Sequence, residues 1–216
     1  MKIALPEQLN RESWLRYLQV EGEPEARLVL QMEEAENMLL ETATPRGIYR
    51  VIDRQDLATD GVSIEKHLEG CHRVAVMAVT LGSDIDALIR RYEVKNMLMA
   101  MVTDTGASVL AEQAADDAER VMKEEIKRRS PDLYCTPRFS PGYGDYPLSH
   151  QKEILAYIDA WRKIGVTLTP GNMMVPSKSI TAIVGLADHP VMGRLATCGE
   201  CVLREKCTLW RQGKHC

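Results

Sequence analysis

The sequence lacks the features that would direct attention to nucleic acid, a membrane or secretion. It has 27 lysines and arginines against 31 aspartates and glutamates, so its net charge is −4 and it has no basic surplus for a nucleic-acid backbone. No apolar run approaches the length of a membrane span. Pro6 interrupts the first residues, which then become polar, so no signal-peptide core is present. We therefore predict a cytoplasmic protein without nucleic-acid or membrane partners.

Several common enzyme motifs are also missing. The sequence has no G-x-G-x-x-G, no G-x-x-x-x-G-K-[ST], no G-x-S-x-G and no H-E-x-x-H. These absences argue against a conventional dinucleotide site, a P-loop, an α/β-hydrolase elbow and a zincin. The five histidines show no metal-ligand spacing among themselves.

The composition is that of an ordinary globular protein, with 45% hydrophobic and 27% charged residues over 216 positions. The periodicity lacks regular βαβ alternation, which favours an α+β fold with long helices and a mixed or antiparallel sheet. A domain at 1–190 and a cysteine-rich tail at 191–216 are expected. Helices are predicted at 24–41, 83–92, 94–128 and 149–164, and strands at 47–54, 74–81, 166–169 and 179–186.

Two of the predicted helices carry specific expectations about burial. The first half of the long helix at 94–128 is apolar nearly all round, so we expect it to be deeply buried. Gly106 lies inside this helix, where glycine costs about 1 kcal/mol relative to alanine, so a close helix contact or an approaching ligand should explain it. In the helix at 149–164, Trp161 falls on the apolar stripe.

A loop after the long helix carries groups that could bind a ligand. Residues 138 to 148 read RFSPGYGDYPL, in which the prolines and glycines exclude regular structure and predict tight turns, some with positive φ. An arginine, an aspartate and two tyrosine rings suit a small polar ligand with a flat ring. On these grounds alone, a ligand-binding loop and an ordinary connector are equally compatible with the sequence.

Four of the six cysteines crowd together near the end, as Cys198, Cys201, Cys207 and Cys216. In a cytoplasmic chain this clustering points to zinc or an iron-sulfur cluster, and the spacing does not decide between them. Free thiols or a redox disulfide are the alternative, and His215 could replace Cys216 as a ligand. An iron-sulfur cluster would suit electron transfer, whereas zinc would have a structural role in the tail.

Four short pieces between about residue 110 and residue 190 keep the order and spacing of a known family. They are R-x-x-P-G-Y at 138–143, Pro147 before a helix with Lys152 in its first turn, I-G-x-x-L-T at 164–169 and M-x-P-x-x-S at 174–179. Together they resemble the activation domain, which binds S-adenosylmethionine, of cobalamin-dependent methionine synthase.

The resemblance implies which residues bind S-adenosylmethionine. They are Glu112 on the long helix and Arg138, Ser140, Gly142 and Tyr143 in the loop. An arginine suits the α-carboxylate of this ligand, a glutamate its α-ammonium and an aromatic ring its adenine. On helical spacing alone, Glu112 could instead be a solvated residue of the amphipathic half.

Two features depart from the family. The tyrosine expected in the last strand aligns near Val184, so another side chain, such as Tyr146, Met173 or Met174, would have to complete the surroundings of the ligand. The sequence also has no D-x-H-x-x-G cobalamin signature. The resemblance thus implies that cobalamin comes with a partner.

The function that the resemblance implies is that of a free-standing activation subunit. It would bind S-adenosylmethionine and support reductive methylation of cob(II)alamin in a partner cobalamin-dependent methionine synthase, with an electron donor as a further partner. As a component of that methyltransferase it would serve methionine biosynthesis. The alternatives are a metal-binding module for electron transfer or interaction, whose tail is the functional part, and an activator of another corrinoid methyltransferase.

Overall fold

The computed structural model describes residues 1–193 and 204–211. Its mixture of helices and strands confirms the predicted α+β class. Short 3₁₀ turns lie at Arg54–Asp56, Leu148–His150 and Arg204–Lys206. The helices are α1 (Arg11–Tyr17), α2 (Ala26–Thr42), α3 (Val62–His67), α4 (Ser83–Lys95), α5 (Met97–Arg129), α6 (Gln151–Tyr157), α7 (Ala160–Ile164) and α8 (Thr208–Arg211), and the strands are β1 (Arg46–Asp53), β2 (Arg73–Thr80), β3 (Tyr134–Cys135), β4 (Thr167–Leu168), β5 (Met174–Val175) and β6 (Ser179–Ala187).

The main sheet has four strands in the order β1-β2-β6-β3, and β4 and β5 form a separate pair. Strand β3 runs antiparallel to β6, with Cys135 opposite Leu186, and β4 runs antiparallel to β5. The two central strands, β2 and β6, are buried along almost their whole length. For β2, the continuous apolar run predicts such burial. The antiparallel pairs agree with the predicted mixed or antiparallel sheet.

The chain forms two compact units that alternate along the sequence. The first comprises 1–48, 78–121 and 159–180, and the second comprises 49–77, 122–158 and the described residues from 181 onward. The predicted division into 1–190 and 191–216 stays a prediction, because the structure describes only part of that tail.

In the first unit, Trp14 of α1 packs into the side of α5. Its indole is fully buried, and its ring N–H donates to the Val102 carbonyl oxygen and to the Thr105 hydroxyl, each at 3.1 Å. A Cβ at Gly106 would overlap this indole. Because packed interiors leave no spare volume, the position has no room for a side chain. Gly106 is therefore explained by a close helix contact, one of the two reasons predicted.

The start of α5 is not deeply buried, so that prediction is wrong. Met97, Leu98 and Met101 expose 69%, 40% and 49% of their surfaces, whereas Ala100 and Val102 are buried. An apolar pattern that runs nearly all round a helix does not say which side has a neighbour. In the described structure only one side of this segment is covered.

The predicted helix at 149–164 is divided into α6 and α7. Asp159 lies between them in a left-handed conformation, with φ of 50°. Trp161 follows this break and is 67% exposed, so the buried stripe predicted for it is wrong.

Within the described ranges, the helices are too short or too polar to cross a membrane.

Candidate functional site

The loop at 138–147, here called the Arg138 loop, follows β3 in the second unit. Its backbone is attached to β6, because Phe139 and Ile183 exchange two backbone hydrogen bonds of 2.8 Å. The chain then turns back on itself, and Gly142 N donates to the Tyr146 carbonyl oxygen at 2.8 Å. The two loop glycines have φ of 95° and 56°. These values confirm the predicted tight turns with positive φ at glycine.

Helix α3, which was not among the predicted helices, holds the second half of the loop. The Asp145 carboxylate accepts hydrogen bonds from the backbone N–H groups of Val62 at 2.7 Å and Ser63 at 2.9 Å. A helix leaves its first N–H groups without internal partners, and the N-cap residue of α3, Gly61, has no side chain to accept them. Asp145 therefore caps α3 from the loop, and these bonds, led by that from Ser63, lower the pKa of its carboxyl.

Gly61 also makes the close approach of Asp145 possible. A Cβ at position 61 would lie 2.8 Å from Asp145 Oδ1 and 3.0 Å from the Asp145 carbonyl oxygen. The residue has φ of 146°, which side chains rarely tolerate. A larger residue here would displace the cap and, with it, the loop.

Tyr146 is part of the support of the loop and offers no open face to a ligand. It is 1% exposed, its hydroxyl donates to the Ala58 carbonyl oxygen at 3.3 Å, and its ring stacks on His150 with centroids 4.8 Å apart. Burial raises the pKa of its hydroxyl well above the ordinary value. In this structure, Tyr146 therefore has no ring face with which to replace the family's tyrosine that aligns near Val184.

His67, at the end of α3, holds the beginning of the loop. Its side chain is buried, and Nε2 lies 3.0 Å from both the Thr136 hydroxyl and the Pro137 carbonyl oxygen. Its ring centroid is 4.9 Å from that of Phe139. Residues 58–67 thus hold both ends of the Arg138 loop.

These supporting residues were not predicted, because they lie far apart in the sequence. Asp145 and Val62 are 83 positions apart, and His67 and Thr136 are 69 positions apart. Periodicity detects only neighbours within one element, so it carries no signal for such pairs. Since α3 itself was not predicted, Gly61 gave no sign that a helix begins there and takes its cap from another segment.

The loop residues implied to bind a ligand differ in exposure. Arg138 and Ser140 are half-buried, whereas Gly142 and Tyr143 are exposed. Tyr143 is 54% exposed, and its ring meets the Phe139 ring edge-on, with centroids 6.3 Å apart. The loop therefore carries a half-buried arginine and a largely exposed tyrosine.

Gly142 leaves the backbone accessible beside these side chains. Apart from its two chain neighbours, the one described residue that would come within 4 Å of a Cβ at this position is Leu148, with its Cδ1 at 3.3 Å. A ligand can therefore approach the main chain closely here.

Glu112, Val184 and the methionines considered as replacements for the family's tyrosine belong to other segments than the Arg138 loop. Glu112 is half-buried on α5 in the first unit. Val184 is fully buried in β6 and presents no aromatic face. Met173 is 63% exposed, next to β5, and Met174 is half-buried. The roles of Glu112 and the methionines in ligand binding stay predictions.

The cysteine tail falls mostly outside the described residues. Cys198, Cys201 and Cys216 lie outside them, and Cys207 is half-buried just before α8. In the ranges that the structure describes, no group of three or more His, Cys, Asp or Glu residues is arranged to hold a metal ion. The four-cysteine zinc or iron-sulfur site therefore stays a prediction.

Comparison with known proteins first defines the fold class. The crystal structure of the MetH reactivation domain bound to AdoHcy matches with a TM-score of 0.64 and 18% identity, over 95% of this chain and 82% of that chain. The two chains share a fold. No match was found among curated proteins.

The model of the vitamin B12-dependent methionine synthase activation domain matches residues 57–191, more than half of the chain. The chain therefore belongs to the family of vitamin B12-dependent methionine synthase activation domains, which confirms the resemblance found in the sequence. The matched region begins at the segment that supports the Arg138 loop and extends through β6.

Proposed function

We propose that this chain binds S-adenosylmethionine through the Arg138 loop and supports reductive methylation of cob(II)alamin on a cobalamin-binding partner. The observation that carries the proposal is the construction of this loop, which is fixed at both ends within the family-matched region. The solved structure of similar fold is bound to AdoHcy, which differs from S-adenosylmethionine by the methyl group that is transferred. This likeness supports the choice of ligand.

The residues of the loop fit this ligand. The Arg138 guanidinium suits the α-carboxylate, because arginine forms two parallel charge-assisted hydrogen bonds with such a group. The exposed Tyr143 ring suits the adenine, which it would cover with one face. The open backbone at Gly142 allows the ligand to lie against the main chain.

The chain contributes binding and orientation in this proposal. When bound, S-adenosylmethionine supplies an electrophilic methyl group on its sulfonium. The loop, held by Asp145 and His67, would keep the ligand in one position, and positioning alone accounts for large rate effects in group transfer. We assign no side chain as an acid or a base.

Glu112 is proposed as the partner of the α-ammonium on the strength of the family resemblance. It belongs to the first compact unit and the Arg138 loop to the second. Its role therefore needs a test that is separate from that of the loop.

Cobalamin and the electron are proposed to come from outside the 216-residue sequence. The sequence has no D-x-H-x-x-G signature, so the residues present do not fit a cobalamin site of that type. A cobalamin-binding protein and an electron donor are the partners that the activity would require. A methionine synthase is the partner favoured by the family.

Calorimetric titration with S-adenosylmethionine tests the ligand. Arg138→Gln removes a charge-assisted pair and should weaken binding by about tenfold or more, and Glu112→Gln should do the same if it binds the ammonium. Tyr143→Ala should weaken binding less. Arg162→Gln and Tyr134→Ala, on exposed residues outside the predicted set, serve as matched controls.

Unchanged affinity in both Arg138→Gln and Glu112→Gln would exclude the proposed ligand site. The activity is tested by mixing the chain with a candidate partner loaded with cob(II)alamin, a reductant and S-adenosylmethionine. Formation of methylcobalamin, followed by visible absorption, should not occur without the chain and should be slower with Arg138→Gln than with the wild type.

A further inference from the structure

A cleft in the second unit is lined by arginines and contains none of the residues assigned above to S-adenosylmethionine. Its volume is about 460 Å³, and its wall includes Arg50 of β1, Arg73 of β2 and Arg129 of α5. This volume falls within the range of small-molecule sites. The cleft is therefore large enough for a ligand of its own.

The charges on the wall of the cleft are unbalanced. Three arginines face a single lining carboxylate, that of Glu125, so the wall carries a surplus of two positive charges. Glu125 Oε2 accepts the hydroxyl hydrogen of Tyr49 at 2.8 Å. Burial, with Glu125 as the second cause, raises the pKa of Tyr49, which therefore stays neutral. The Glu125 carboxylate is thus already hydrogen-bonded to the neutral Tyr49 hydroxyl.

In the part of the chain that the structure describes, the three arginines of the wall have no ion pair with an acidic side chain. Within the described ranges, Arg73 and Arg129 form no ion pair, and Arg50 donates to the Tyr157 carbonyl oxygen at 3.2 Å. An arginine is always charged at neutral pH. Positive charges grouped in a concave surface raise the local concentration of anions. The expected ligand is therefore an anion.

The rest of the wall is partly apolar. Val51, Ile126, Leu133 and Leu186 also line the cleft. Apolar side chains beside a few charged groups are typical of sites for small organic molecules. The expected anion therefore has an organic part.

We propose that this cleft binds a phosphorylated small molecule, with its phosphate on Arg73 and Arg129 and its organic part against Val51, Ile126 and Leu133. A phosphate monoester carries a charge close to −2 at neutral pH, which matches the surplus of the wall. Guanidinium groups bind phosphate through paired hydrogen bonds. The proposal does not depend on S-adenosylmethionine binding.

Calorimetric titrations of the full chain with phenyl phosphate and with inorganic phosphate test this site. Phenyl phosphate should bind more tightly, because its ring covers apolar surface. Arg73→Gln and Arg129→Gln should each weaken phenyl phosphate binding by about tenfold. Arg128→Gln, which removes the same charge from the neighbouring position outside the cleft, should change it by less than about twofold.

Two results would overturn the proposal. One is no binding of either compound at millimolar concentration. The other is an equal loss of binding in Arg128→Gln and Arg129→Gln, because general electrostatic attraction would then explain the result. Arg138→Gln should leave phenyl phosphate binding intact, which separates this site from the proposed S-adenosylmethionine site. Circular dichroism checks that each variant is folded.

Discussion

The Arg138 loop and the first turns of α5 differ in a way that their amino-acid composition does not predict. The loop is rich in proline and glycine and could have been a simple connector, yet Asp145 caps a helix and Tyr146 is buried. The start of α5 has an apolar composition typical of a core, yet Met97 is largely exposed. Amino-acid composition predicted that α5 would be helical. Contacts with residues distant in the sequence decided that the Arg138 loop is held by its neighbours and that the start of α5 is covered on one side only.

The buried side of α5 should show the largest effect on stability. Trp14→Ala removes an indole that packs on Gly106 and donates to Val102, so we expect a loss of about 3–5 kcal/mol in the free energy of unfolding. Urea denaturation measures it. Trp161→Ala, at an exposed tryptophan, is the matched control and should change stability by about 0.5 kcal/mol at most. Similar losses in the two variants would contradict the assigned packing.

Loss of the Asp145 side chain from the loop should have an intermediate effect on the free energy of unfolding. Asp145→Ala removes both acceptors from the start of α3 and should cost about 1 kcal/mol, as helix caps do. Asp132→Ala, at an exposed aspartate, is the control. An equal effect in the two variants would show that the cap contributes nothing to stability.

The same carboxylate predicts a dependence on pH. The pKa of the Asp145 carboxyl is lower in the folded state than in the unfolded state. Its ionised form therefore adds to the free energy of unfolding above the unfolded-state pKa of about 3.9, and this contribution is lost as the pH falls through the folded-state pKa. Asp145→Asn should therefore lose less stability than the wild type between about pH 5 and pH 2. Parallel pH profiles of the two proteins would argue against this contribution.

A substitution on the exposed side of α5 should have the smallest effect on the free energy of unfolding. Met97→Gln exchanges one exposed side chain for another of similar length, so stability should change by about 0.5 kcal/mol at most. Val102→Ala, on the buried side of the same helix, should cost clearly more. A large loss in Met97→Gln would mean that this side is covered in solution, and the contrast with the loop would weaken.

The elements that the sequence predicted well depend on local patterns. Strand β2 follows from a continuous apolar run, and the positive φ of Gly142 follows from turn chemistry. The break at Asp159 was missed, because a single left-handed residue leaves the apolar spacing around it unchanged.

For the candidate site, the sequence predicts ligand-binding residues but not the contacts that hold their loop. Arg138 and Tyr143 stand in a recognisable motif and lie in the same loop of the structure. The caps and contacts of Asp145 and His67 join segments far apart in the chain, which only the folded structure brings together. A motif can therefore identify a loop before anything shows what holds its shape.

Phe139 gives the loop its own spectroscopic reporter, because it is the only phenylalanine in the sequence. Its backbone pairs with Ile183, and its ring contacts those of His67, Tyr143 and Tyr146. Incorporation of isotope-labelled phenylalanine would place a single labelled ring in the protein. The NMR signals of that ring would report ordering or loosening of the loop upon addition of each ligand, without assignment of any other residue.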